Sequence, residues 1–309
     1  MTPTREQELA VLQSVIYASL FEYPLTLAQL HATLVGVRAS RDSIATWWLK
    51  SDLLQSAVAH RDGWYFPTGR GDLVATRARR EALSRDLLDR DRRILSLVAG
   101  MPFVRMVALS GSLAHLNAEG SADLDLFVIT APKRVWSVTV AAVVLSKLLG
   151  WRKRLCMNFV VSERAMTISP EDLFSANQII HLRPITGQAV FERFVRSNAF
   201  VRNVYPNFEL LQDLKTSRPQ GLKTSVERLL SLGPAQLAER TAQWLYGWHL
   251  RRRSATWQSR EQVRLEPECL KLHTSSHRAS IMARFDHAML DALQGVDEDS
   301  RCEVIASRS

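Results

Sequence analysis

The 309-residue sequence predicts an α+β fold: a helical start, a central mixed sheet and a helical end. Apolar residues recur at helical spacing near the N-terminus and again beyond residue 169. Between these segments, Phe103 to Leu109 and Asp123 to Ile129 are short apolar runs rich in strand formers, separated by a Gly-Ser turn. Hydrophobic residues make up 46% of the chain and charged residues 23%, a globular rather than disordered balance.

The first segment, 1–70, starts with a helix over Glu6 to Phe21, carrying Leu9, Leu12, Val15, Ile16 and Leu20 on one face. Tyr23-Pro24 ends it. Thr26 caps a second helix to Leu34, and Ser40 caps a third over Arg41 to Ser51. Leu53 to Ala59 reads as a strand, Arg61-Asp62-Gly63 as a turn, and Trp64-Tyr65-Phe66 as the returning strand. Three short helices closed by a hairpin resemble a winged helix-turn-helix domain. That resemblance implies a DNA partner met by the third helix, through Arg41, Ser43, Thr46, Trp47 and Lys50, with Arg61 in the wing. It equally implies a protein partner.

Residues 71–100 read as a connector helix. Leu83, Leu87, Leu88, Ile94 and Leu95 give it one apolar stripe, and its many mixed charges suggest a solvated surface laced with ion pairs.

The core, 101–168, contains the chemistry. Gly111-Ser112 breaks the first strand, and Leu113 to Ala118 can form a short helix. Asp123-Leu124-Asp125-Leu126 opens the second strand, where alternation points both carboxylates to one face. Like charges side by side are unfavourable, and a divalent cation is the commonest reason to keep them. Mg²⁺ takes oxygen ligands and leaves positions for substrate phosphates. A glycine before a helix lets backbone N–H groups approach a phosphate. Pro132 to Leu149 reads as a helix opening on Lys133-Arg134, cations that either meet a triphosphate or form a solvated helix start. Arg154 to Ser162 reads as a third strand carrying Asn158.

Gly-Ser followed about ten residues later by Asp-x-Asp, between apolar strands, resembles the DNA polymerase beta-like nucleotidyltransferase superfamily. Leu155-Cys156-x-Asn158-Phe159, Glu171 to Pro184 and Asn198 to Asn207 further resemble an uncharacterised set that joins a winged-helix start to such a core and carries Cys-x-Asn on the third strand. The resemblance implies two Mg²⁺ ions at Asp123 and Asp125, phosphate binding at Gly111 and Ser112, and transfer of a nucleoside monophosphate to a small-molecule or protein acceptor. A third carboxylate is usual where this chain has Asn158, so Asn158 either completes the site or marks a weakened core. Glu163, Asp172 and Glu192 are other carboxylates within reach in sequence. A nucleotide-sensing module that binds DNA or protein is the alternative function.

Residues 169–295 read as a helical region. A helix over Ala235 to Arg253 carries Leu237, Trp244, Leu245 and Trp248 as its apolar face, and Arg260, Arg264, Lys271, His273, His277 and Arg278 follow as a cationic run. Residues 296–309 read as a tail. The net charge of +9 favours phosphorylated or polyanionic partners. No apolar run approaches the ~20 residues of a membrane helix, the N-terminus has no signal peptide, and Cys156, Cys269 and Cys302 are scattered. These features suggest a cytoplasmic protein with free thiols.

Overall fold

The computed structural model describes residues 2–120, 122–210, 221–231, 235–260, 263–272 and 277–293. The predicted tail, His273 and Cys302 lie outside the described residues. The chain divides into two compact units. One comprises Met1–Arg79, Phe200–Glu209 and His277–Ser309, the other Arg80–Ala199 and Leu210–Ser276.

The first unit begins with α1 (Arg5–Ser19), β1 (Leu25–Thr26), α2 (Leu27–Ala32) and α3 (Arg41–Lys50). Thr4 and Thr26 each form a reciprocal capping box, with Gln7 and Gln29, and Ser40 caps α3. The expected strand from Leu53 is instead a helix, α4 (Asp52–Ala57), and only then comes β2 (Val58–Arg61). The physical reason is the Ser51 side chain, which accepts the Leu54 N–H and starts a helical turn before the chain can extend. The hairpin to β3 (Trp64–Pro67) turns on Asp62 and Gly63, both with positive φ, as a two-residue loop demands. β3 lies between β1 and β2 in an antiparallel sheet. Trp47 is buried, and Trp48 donates its indole N–H to the Val58 carbonyl. Two later helices, α10 (Phe200–Val204) and α13 (Arg278–Ala292), complete this unit.

A long helix, α5 (Asp72–Gly100), continues from this unit into the next. Its apolar stripe packs on the core and most of its charges are exposed, as expected, but three of its charged residues are buried. Leu87, Ile94, Leu95 and Val98 sit in the core of the second unit, and Arg77, Arg80 and Asp91 are buried. Arg77 stacks on Tyr23, with its guanidinium carbon 3.6 Å from the ring centroid. Arg80 reaches Asn117 and Glu119.

The second unit is built on a six-stranded sheet. β4 (Val104–Leu109), α6 (Gly111–Ala114), β5 (Leu124–Thr130), α7 (Val135–Leu148) and β6 (Leu155–Ser162) follow in chain order. Then come α8 (Leu173–Ile180), β7 (Arg183–Thr186), α9 (Gln188–Ser197), α11 (Gly221–Ser231), α12 (Ala235–Arg252), β8 (Val263–Glu266) and β9 (Cys269–Leu272). The strand order is β7-β4-β5-β6-β9-β8, and β5–β6 is the parallel pair. The region expected to be helical thus contributes β7, β8 and β9. Arg264 and Lys271, read as part of a cationic run, alternate with Leu265, Leu270 and Leu272 across a hairpin. This period of two had been masked by the charge density.

Alternation gives the sheet two unlike faces. Val107, Leu109, Leu124, Leu126, Val128, Leu155 and Val160 form one core with α5, α7 and α12. Asp125 and Phe127 face the other way, where Phe194 of α9 packs 4.9 Å from the Phe127 ring centroid. Among the described residues, no helix is long and apolar enough to cross a membrane.

Candidate active site

The site is built where β4 turns into β5. Ser110 donates its N–H to the Asp125 carbonyl at 2.9 Å, which holds the end of one strand against the start of the other. Gly111 follows with φ +64. A Cβ on Gly111 would stand 2.6 Å from Asp125 Oδ2, so only glycine allows the backbone to lie this close to that carboxylate. The helix expected from Leu113 is a single turn over Gly111–Ala114, after which Leu116 takes a positive φ and Asn117 donates its N–H to the Ser112 carbonyl.

Asp123 is exposed and Asp125 half-buried. Burial and then the neighbouring Asp123 charge push the Asp125 carboxyl up to about 6, against hydrogen bonds from Cys156 and Asn158 that favour its ionised form. Asp123 immediately precedes β5 and Asp125 is its second residue, close enough for one charge to raise the other, so Asp125 is an uncomfortable anion.

Asn158 reaches the pair through an irregularity that sequence parity does not reveal. Asp125 pairs with Cys156, yet Phe127 pairs with Phe159, so β6 carries one extra residue between them. At this bulge Asn158 Nδ2 donates to Asp125 Oδ1 at 3.0 Å. Its own Oδ1 accepts the Cys156 thiol at 2.9 Å. Asn158 thus steadies the carboxylate through its amide N–H. Cys156 is the member to which the sequence assigned no role. Burial and the Asp125 charge push its thiol up to about 11, so it acts here as a neutral donor. Its signal was its place two residues before Asn158 on an apolar strand.

Lys133 and Arg134 do not join this group. They follow the far end of β5, which at ~3.3 Å per residue lies roughly 16 Å or more from Asp125. The Lys133 N–H donates to Glu268, and Arg134 reaches the Ala235 carbonyl and covers the Phe103 ring at 4.7 Å. Arg134 is thereby tied to the start of α12, while the Lys133 contact is made by its backbone alone. Glu163 pairs with Arg105 and Arg193, Asp172 caps α8, and Glu192 pairs with Arg196, so each of these carboxylates is engaged elsewhere.

Among the described residues, no three or more His, Cys, Asp or Glu side chains are grouped to hold a metal ion. The donor set at this end of the sheet is two carboxylates. That suits Mg²⁺, which binds through one or two carboxylates and completes its shell with water and phosphate oxygens. A cation there would also relieve the repulsion that raises Asp125. Comparison of the chain with protein-family models, with curated proteins and with solved structures finds no match.

Proposed function

We propose that the chain is a Mg²⁺-dependent nucleotidyltransferase, moving a nucleoside monophosphate from a triphosphate to a small-molecule or protein acceptor. The reading is supported by one observation above the rest: Gly111 lies against Asp125 beside Asp123, with Asp125 raised to about 6 by burial and like charge. A carboxylate pair kept in that state is poised for a cation. Bound Mg²⁺ would neutralise charge on the triphosphate and polarise the α-phosphate.

The chain's own groups then have distinct tasks. Asp123 and Asp125 would ligate the ion. Asn158 holds Asp125 in place, and Cys156 holds Asn158. Gly111 leaves room beside the carboxylate, where a Cβ would collide with it. In the reaction, the acceptor oxygen bonds to the α-phosphorus, the bridge to the β-phosphate breaks, and pyrophosphate leaves. Ser112, directly after Gly111, would hold a phosphate oxygen through its hydroxyl.

The winged-helix reading of the first unit is a proposal for a partner module. A protein partner is favoured over DNA. The exposed residues of α3 are Arg41, Asp42, Leu49 and Lys50, a nearly balanced set with an apolar member 63% exposed. DNA recognition needs a dominant cationic face.

The test is incubation with Mg²⁺, each α-labelled nucleoside triphosphate and cell extract. Label transfer with pyrophosphate release, lost in the double variant Asp123→Ala/Asp125→Ala, is the expected result. Tight triphosphate binding without turnover would replace the enzyme with the nucleotide-sensing alternative.

A further inference from the structure

Helix α12 has two apolar faces, and only one is used inside the unit. Ala242, Tyr246 and Leu250 pack on the core cluster, and Glu239 is buried where its carboxylate accepts the Trp136 and Ser137 N–H groups at the start of α7. The apolar face expected from sequence points outward instead. Leu237 is 65% exposed, Trp244 68% and Trp248 51%. With the exposed Thr241 they recur at alternating steps of four and three along the helix. That is the a/d seam of a helix that packs another helix.

The charge around this seam has one sign. Arg240 and Arg252 flank it in the g and e positions, and Arg252 lies over the Trp248 ring at 4.2 Å. The carboxylates of α11 and α12 are already engaged. Glu227 accepts from Phe103 N and Arg105, and Glu239 caps α7. No Asp or Glu occurs from Val135 to Phe159, which spans the neighbouring α7. An isologous contact with a second copy would set cations against cations. A seam of heptad period with aliphatic and aromatic members fits helical knobs better than stacked bases or acyl chains.

We propose that the outer face of α12 docks an amphipathic helix of a partner protein, with apolar residues in its own a and d positions and Glu or Asp beside them. Helix-in-groove recognition of this kind takes its energy from a few large anchors, here Trp244 and Trp248, and its choice of partner from the flanking charges.

The experiment uses the full chain and a labelled 21-residue peptide with Leu at a and d and Glu at e and g, followed by fluorescence anisotropy and tryptophan emission. Binding is expected, and Trp244→Glu/Trp248→Glu should weaken it by about 30-fold or more. Both side chains are exposed, so the thermal midpoint should hold, and it is measured in parallel. Arg240→Glu/Arg252→Glu should weaken the Glu peptide and gain binding to a Lys-flanked version, a rescue that generic stickiness would not produce. Failure of the Glu peptide to bind, or binding that survives both double substitutions, overturns the proposal. So does a tryptophan response confined to phosphatidylglycerol vesicles or to oligothymidine. Concentration-dependent dimerisation that the tryptophan substitutions abolish would also overturn it.

Discussion

Asp91 and Asp125 are carboxylates of the same structural unit, and their surroundings are opposite. Asp91 is 1% exposed and is met by two guanidinium groups, Arg90 at 2.9 Å and Arg154. Among the described residues Asp125 forms no ion pair; its neighbours are an amide, a thiol and a second carboxylate. A buried charge must be compensated or neutralised. Asp91 is compensated from within the chain and fastens α5 to the turn before β6. Asp125 has no such compensation, and under the proposed function a bound cation would supply it.

The comparison can be broken most sharply by activity. Asp125→Asn should cut nucleotidyl transfer on the order of 10³-fold, the several kcal/mol that a metal-held charge supplies. Its folding stability should not fall. If stability drops while transfer persists, Asp125 is a structural residue and the contrast fails. Asp91→Asn should do the reverse, costing about 2–3 kcal/mol in urea unfolding. That is at or just below the low end for breaking a buried pair, because Arg154 and Arg90 are 34% and 48% exposed and can recover water.

Acidity sharpens the same contrast. The Asp125 carboxyl is raised in the folded state from 3.8 to about 6. Below about pH 4 it is protonated in both states and carries no penalty. Between about pH 4 and 6 the unfolded chain loses its proton while the folded chain retains it, so stability falls as pH rises, by about 2–3 kcal/mol in all. Unfolding in EDTA should show this decline in the wild type and a flatter curve in Asp125→Asn. Mg²⁺ at pH 7 should restore stability to the wild type alone.

Smaller effects belong to the supports. Gly111→Ala should cost roughly 1–2 kcal/mol through positive φ and further depress transfer, because its Cβ meets Asp125. Gly36→Ala, also at positive φ but with nothing within 4 Å, should show the backbone cost and leave transfer unchanged. Asn158→Ala should cost about 1 kcal/mol, the net worth of its hydrogen bonds, by the same unfolding assay.

The legible part of the site was the local part. Gly111, Ser112, Asp123 and Asp125 lie on one short strand-turn-strand excursion, which brings Asp125 to the glycine turn with Asp123 two residues before it. Asn158 could be named as a candidate, but its contact could not be drawn. It depends on a parallel neighbour across α7 and on an extra residue in β6, neither of which leaves a mark in periodicity. Lys133 and Arg134 show the complementary case: nearness in sequence to Asp125 became distance along an extended strand.

The helices divide in the same way. Capping residues such as Thr4, Thr26 and Ser51 set where helices begin, because their hydrogen bonds close within three residues. Which face of a helix is buried is set by other surfaces competing for it. The apolar stripe of α12 fits a core by any hydrophobicity count. Yet Tyr246, Ala242 and Leu250 took the core, and Leu237, Trp244 and Trp248 were left outside. Chain-local chemistry thus decided the carboxylate pair, its glycine and the helix starts. The packing of distant segments decided Asn158's grip on Asp125, the three late strands of the sheet and the outward seam of α12, because burial compares whole surfaces rather than neighbouring residues.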